Sequence, residues 1–444
     1  VSALVGYTYQ DSRYRYMQGS GQGMPTGITE IDAASQGLAV SGNSSRSVLT
    51  SILGRAFYSY KNRYLLTATI RRDGSSKFGS NYRYGNFPSV SVGWNIAEED
   101  FVKNSVSWLD QLKLRGGYGV LGNQEIDNYQ YVSVVTTGIN YPDGKSGLIQ
   151  GAFPKTFANP DIKWEETAMT NVGIDFMALR NRLTLTADWY VKNTKDILLN
   201  VPIPISTGGA NDPIRNAGKI RNQGFEFNLG WNESLNKDLS YGVSFLGTYN
   251  KNEVVEMGAE SQVITGGTIH GGTYTSRTLA GYPIGGFWLI PTDGYFNSTE
   301  EVQAHQKDGV LIQPSAEPGD IRFKDTNNDG TINDEDRVYC GSPFPKFTYS
   351  INGNITYKNV DFSIGFQGVT GNKIYNATKL ELTDVTRGTN YLASTLDYWT
   401  PENQNASSPR LIWTDPNRNA RSESDRYLES GSYFRLRNLQ VGYT

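Results

Sequence analysis

The chain has 444 residues and a net charge of −3, with Lys and Arg interspersed among Asp and Glu, so it carries no electrostatic footprint for nucleic acid. Mean hydropathy is −0.48 and no apolar run approaches the roughly 18 residues of a spanning helix, which excludes helical membrane proteins. Cys340 is the single cysteine, which excludes a disulfide framework and a Cys-based zinc site.

In chain order, strands are expected near Ala3 to Gln10, Leu49 to Tyr60, Tyr64 to Arg72, Gly85 to Asn95 and Gln111 to Leu121. A short helical link is expected from Ala97 to Asp110, on the spacing of Phe101, Val102, Val106 and Leu109. Further strands fall near Glu166 to Ala178, Leu183 to Asn193, Lys219 to Trp231, Leu239 to Lys251, Phe347 to Tyr357, Val360 to Thr370 and Ser432 to Tyr443. The clearest run is Leu183 to Val191, where every second residue is apolar, giving a strand with one greasy and one wet face. A secreted β-sandwich would share this alternation.

The connections decide between them. Tyr60-Lys61-Asn62-Arg63, Leu179 to Arg182, Asn232 to Asp238 and Lys358-Asn359 are tight, whereas the links between those hairpins run to tens of residues. Short turns at one end and long loops at the other describe an all-β, transmembrane antiparallel β-barrel with long extracellular loops. About twelve strands alternate without a break, so the chain is expected to be a partial barrel, and residues 1–444 are read as one barrel domain. An open sheet in lipid would leave unpaired edges costing several kcal/mol per group, so further strands are expected elsewhere in a longer protein. No signal peptide is expected within these residues, since Val1 to Gln10 already reads as a strand.

Three outer loops are long: Gly122 to Lys163, Asn252 to Pro345 and Gly371 to Gly431. Parity places Ile284 to Leu289 in the second as an extracellular excursion, and Tyr391 to Thr400 in the third is expected to form a short helix before Pro401. Within the insert 252–345, Asp325, Asn327, Asp329, Thr331 through its carbonyl, Asn333 and Asp336 stand at calcium-loop spacing, with Gly330 at the sharp turn. Its carboxylates would repel one another without a cation, so Ca²⁺ is the expected ligand of 325–336. Asp336 stands where an EF-hand usually has Glu, and no helix precedes the loop, so a lone structural site is expected rather than a sensor.

Catalytic constellations are lacking, and no enzyme is expected. His270 and His305, the only histidines, lie in separate loop segments, and no nucleophile elbow or phosphate loop occurs. Asp188, Glu226 and Arg115 are expected to line a wet lumen, since a charge toward mid-depth lipid costs about 2 to 4 kcal/mol.

Several ordered motifs resemble the SusC/RagA family of TonB-dependent outer-membrane transporters. They are Asp73 to Gly79, Asn86 to Trp94, Leu112 to Gly119 with Gly122 to Gln124, Asn159 to Glu165, Asn222 to Glu226, Gly319 to Asp325 and Gly431 to Tyr443. The resemblance implies a larger, plugged barrel of the bacterial outer membrane, with the plug and TonB-contacting segment outside this sequence. It implies import of oligosaccharides or oligopeptides, delivered by a SusD-like surface lipoprotein and energised through TonB. The family's acidic calcium loop falls on Asp325 to Asp336. The aromatics Phe287, Trp288, Tyr129 and Tyr131 lie in outer loops where they would stack on sugar rings or peptide side chains, or pack as loop core. Alternatives are a siderophore- or cobalamin-type receptor, a surface adhesin and a secreted carbohydrate-active β protein.

Overall fold

The computed structural model describes residues 1–144, 147–201, 203, 206, 212–258, 263–269 and 273–444, the side chains of 134, 155 and 156 apart. Twelve long strands are β1 (Ser2–Gln22), β2 (Gln36–Tyr60), β3 (Tyr64–Ser75), β4 (Tyr84–Asn95), β5 (Leu109–Asn123), β6 (Glu165–Ala178), β7 (Leu183–Lys195), β8 (Lys219–Ser234), β9 (Leu239–Glu256), β10 (Phe347–Tyr357), β11 (Val360–Thr370) and β12 (Tyr433–Tyr443). They follow one another along the hydrogen-bonded ladder in chain order, and the pairings β1–β2, β2–β3, β3–β4, β4–β5, β9–β10, β10–β11 and β11–β12 are antiparallel. All twelve expected strands are present. No described helix is long and apolar enough to cross a membrane. Two compact units divide the chain, the first holding residues 1–176 and 190–219, the second 177–189 and 220–444.

In the first unit the register sorts side chains by chemistry. One face carries Tyr60, Tyr58, Ala56 and Gly54 of β2 opposite Tyr64, Leu66, Ala68 and Ile70 of β3, then Trp94, Val92, Val90 and Pro88 of β4. Leu114, Gly116 and Tyr118 of β5 continue it. The other face carries Ser51, Arg55, Thr67, Thr69, Arg71 and Arg115, with Arg55 bonded to Thr69 at 3.3 Å. Arg71 reaches Asp73 at 2.7 Å and Ser51 at 2.9 Å, and Arg115 forks onto Asp175 at 2.9 and 3.0 Å. An apolar face with nothing packed on it, backed by a charged one, is the pattern of a wall between lipid and water. Ile70 keeps 51% of its surface and Val92 56%.

The turn between β2 and β3 puts Lys61 and Asn62 at φ 50° and 58°, the left-handed pair of a type I′ hairpin, whose twist matches that of the strands. Beside it, Glu99 receives the Tyr64 hydroxyl at 2.6 Å, the Trp94 indole N–H at 3.0 Å and Arg63 at 3.2 Å, fixing the aromatic tips at this rim. Of the helix expected over 97–110 only α1 (Asp100–Lys103) forms, flanked by a 3-10 turn. Trp108 leaves the helical spacing to pack against Phe176 at 6.3 Å.

The second unit repeats the division. Tyr241, Val243, Phe245, Gly247 and Tyr249 of β9 face Ile355, Gly353, Ile351, Tyr349 and Phe347 of β10, and Phe362, Ile364 and Phe366 of β11 extend the row. Tyr349 stacks on Phe434 at 6.1 Å and Phe434 on Phe366 at 5.2 Å. Gly368 makes this stack possible, because a Cβ there would lie 2.4 Å from the Tyr349 ring. Phe225 and Leu229 of β8 stay 44% and 43% exposed, so no second protein layer covers them.

Two further elements differ from expectation. β1 and β2 run on as a paired ribbon well past Gln10 and Leu49, to Gln22 and Gln36, where the sequence shows no apolar dyad. Tyr391 to Thr400 forms only a 3-10 turn at Ala393–Leu396, because the Asp397 carboxylate accepts from Ser407 N–H and Asn403 and ties the chain into a bend.

Candidate functional site

The long loops of the second unit are built around buried polar groups rather than a large apolar core. Asp320 is fully buried and receives Arg410 Nε at 2.6 Å and Nη2 at 3.0 Å, Asn419 Nδ2 at 2.8 Å and Glu317 N–H at 2.9 Å. Asn419 Oδ1 accepts Ile321 N–H at 2.9 Å, while Gln313 donates to Ile321 O at 3.0 Å and accepts Phe323 N–H at 2.8 Å. Ile290, Ile321 and Phe323 supply the apolar filling, with Tyr295 and Ile332 against them. Segment Ile321–Phe323 is thereby held by side chains as well as by its antiparallel pairing with Thr292–Tyr295, and it leads directly into the acidic loop.

In that loop Asp325 accepts the N–H groups of Asp329 at 3.1 Å and Gly330 at 2.7 Å, drawing the chain into a ring. Asn328 at φ 58° and Gly330 at φ 92° take the left-handed turns that the ring requires. Asp329 accepts Asn327 and Asn333 amide donors at 3.0 and 3.2 Å and the Thr331 N–H and hydroxyl at 2.7 and 2.8 Å. These hydrogen bonds, Asn327's foremost and then Thr331's, hold the Asp329 carboxyl at about 2. Asp336, fully buried at the floor, accepts Thr326 N–H at 2.7 Å and Asn333 N–H at 2.8 Å. All six predicted ligand residues are thus in one ring. Among the described residues no three His, Cys, Asp or Glu side chains converge as a metal-holding group. The three carboxylates of the predicted ligand set, Asp325, Asp329 and Asp336, therefore do not converge as such a group here, each accepting instead from N–H donors of the loop.

Among the described residues His305 adds no ligand. His305 is partly buried against Phe296 at 5.5 Å, and burial lowers its pKa and favours the neutral ring. His270 lies outside the described residues.

The predicted stacking aromatics are mostly loop core. Phe287 is buried, and Trp288 packs edge-on to Tyr282 at 4.7 Å and beside Tyr339 at 6.0 Å. They sit in a small sheet formed by Ile264–Thr265, Ser276–Thr278, Gly286–Leu289 and Val338–Gly341, outside the twelve-strand ladder as parity requires. In the first unit Tyr131 packs on Phe78, Phe87, Ile126, Ile162 and Trp164, and the Tyr129 hydroxyl bonds the Arg46 backbone at 3.3 Å. A feature that residue patterns missed is an open apolar hollow of about 470 Å³ in the third long loop, lined among others by Tyr391, Leu392, Leu396, Leu411 and Trp413. Its signal is the consecutive Leu411-Ile412-Trp413 in an otherwise polar stretch. Glu226 sits on the polar face of β8, between the apolar-face residues Phe225 and Phe227, and Arg115 faces the same side as Arg71.

Comparison with known proteins gives one consistent answer. Residues 2–444 match the family described as TonB dependent receptor-like, beta-barrel. TonB-dependent receptor P3 of Formosa agariphila is 30% identical over 451 residues, covering 100% of this chain and 43% of that protein. TonB-dependent receptor SusC of Bacteroides thetaiotaomicron is 30% identical over 409 residues, covering 90% and 38%. Among solved structures, the RagAB peptide transporter superposes with a TM-score of 0.82 at 23% identity, over 99% of this chain and 46% of that one. The chain spans less than half the length of the relatives it matches.

Proposed function

The chain belongs to the TonB-dependent receptor β-barrel family, an outer-membrane family of receptors and transporters rather than enzymes, and from that membership we propose that it forms wall and outer loops of a nutrient importer. The cargo is an oligosaccharide or an oligopeptide, delivered by a SusD-like surface lipoprotein and drawn inward through TonB. The full-length match to the family, with SusC 30% identical, is the observation that carries this reading. A continuous polar wall face supports it, since Arg55, Arg71, Arg115 and Asp175 would wet a passage for hydrophilic cargo. Likeness of fold to the RagAB peptide transporter is the reason to test peptides beside glycans. In cells lacking the gene for the whole protein, uptake of one labelled glycan or peptide pool should fall at least tenfold and return on complementation. Unchanged uptake of both pools would remove the proposal.

We further propose that Asp325, Asn327, Asp329, the Thr331 carbonyl, Asn333 and Asp336 hold a structural Ca²⁺. The closed ring, the left-handed Gly330 and the buried Asp336 support it. Bound there, the ion would neutralise the loop's carboxylates and stiffen the insert beyond what Asn327 and Thr331 achieve by hydrogen bonding.

A further inference from the structure

Beyond Tyr9 and Thr50 the wall's outer face changes character. Ala3, Val5 and Tyr7 stand opposite Ala56, Gly54 and Ile52 on the apolar side, in line with Ile70 and Ala68 of β3. Continuing by twos, the same face next presents Asp11, Arg13 and Arg15 on β1, and Val48, Arg46 and Ser44 opposite them on β2. Arg13 and Arg46 are direct cross-strand partners. Asp11 is the only carboxylate in β1 and β2.

Height along the strand places this group. From Tyr60 at the turn rim to Thr50 is ten residues, about the 9–11 that a tilted strand needs to cross the hydrocarbon. Arg46 and Arg13 lie four residues further on, roughly 9 Å above the hydrocarbon edge at a 45° tilt and ~3.3 Å per residue. That is the polar headgroup layer of the outer leaflet.

Among the described residues the charges there do not balance. Arg46 forks onto Asp11 at 3.0 and 3.1 Å, and Arg13 reaches the same carboxylate at 3.1 Å. One carboxylate between two guanidiniums leaves a positive charge, and Arg15, without a partner among the described residues, adds a second. Arg13 and Arg46 keep 68% and 53% of their side-chain surface open. Directly opposed like charges are unfavourable unless an anion bridges them; Asp11 bridges Arg13 and Arg46 but neutralises only one of them, and together with a hydrogen bond to Tyr9 it holds Arg46 fixed. Arg72, on the same face opposite Ile52 and level with Tyr7 just inside the Thr50 edge, lies 4.9 Å over the Tyr84 ring, and Tyr7 and Tyr9 are open. Guanidinium forks match phosphate oxygens, and an aromatic belt directly beneath suits acyl chains.

From this placement we propose that Arg13, Arg15 and Arg46 form an outward-facing site for the phosphate groups of outer-leaflet lipid. The proposal rests on the orientation of the wall and not on the cargo, so its failure leaves the import reading intact. The test is native mass spectrometry of delipidated full-length protein, titrated with bisphosphorylated lipid A, with its dephosphorylated form, and with inorganic phosphate as competitor. The expected result is retention of lipid A with an apparent Kd at least tenfold tighter than that of the dephosphorylated form. Arg13→Gln with Arg15→Gln should remove that preference, and Arg15→Gln alone, which breaks no ion pair, should reduce it severalfold even if the double variant inserts poorly. Equal retention of both lipids overturns the site. Displacement of lipid A by equimolar inorganic phosphate overturns its assignment to lipid.

Discussion

Placing an arginine at Val90 offers a quantitative reading of the wall. Val90 pairs with Ala68 on one side and Tyr118 on the other, all on the apolar face, and lies four residues from Trp94 at the turn rim. At ~3.3 Å per residue and a 45° tilt that is roughly 9 Å of depth, close to the middle of an apolar band about 25 Å tall. Val90→Arg should therefore destabilise by about 2 to 4 kcal/mol, a factor of about 30 to 1,000 in the folding constant. Ser91, the next residue, pairs with Thr67 and Gly117 on the polar face, so Ser91→Arg should cost under about 0.5 kcal/mol. The assay is urea-driven unfolding of the full-length protein in phospholipid vesicles, followed by Trp fluorescence. Equal costs at 90 and 91, or a larger cost at 91, would refute the assignment of faces.

Other outcomes concern the long loops. Asp329→Ala should lower the melting temperature of the insert more when calcium is present than in chelator, where only its hydrogen bonds to Asn327, Thr331 and Asn333 are lost; identical melting of the unaltered protein with and without chelator would count against the metal. Asp329 is held at about 2, below its ordinary 3.8, so its contribution is fully present above pH 3.8 and is lost as pH falls through about 2. Metal-free protein should accordingly keep residues 325–336 protected from hydrogen exchange at pH 4 and lose protection near pH 2. Asp320→Asn leaves Arg410 without its buried partner, and loss of one member of such a pair costs about 3 kcal/mol or more. Limited proteolysis should then cut within 252–345 or 371–431 at least tenfold faster, whereas an unchanged rate would contradict the clamp.

What the residues reveal in advance follows from what each element must satisfy. The wall strands alternate because lipid and water select side chains independently on each face, so Leu183 to Val191 or Phe347 to Tyr357 could be read directly. The ribbon of Asp11 to Gln22 with Gln36 to Val48 could not, because both its faces meet water or headgroups and Ser, Arg and Tyr recur without an apolar period. The acidic ring was legible from ligand spacing, since Gly330 and the Asp and Asn positions are local. The clamp around Asp320 was not, because Arg410, Asn417 and Asn419 come from a separate loop some 90 to 100 residues away. Helices α2 (Thr299–Ala304) and α3 (Ala377–Thr383) are too short to show a period, although Ser298 and Asn376 are caps that accept the N–H of Glu301 and Lys379. The aromatic loop residues Phe287 and Trp288 became core because the insert closes on its own apolar groups, among them Tyr282, Leu289, Ile290 and Tyr339.

Site-directed spin labels at positions 65 through 70 of β3, in the full-length protein in bilayers, would test the central claim most directly. Relaxation by lipid-soluble oxygen should peak at 66, 68 and 70 and relaxation by a water-soluble nickel chelate at 65, 67 and 69. Loss of that alternation, or its reversal, would contradict a wall with lipid on one face and a wet passage on the other.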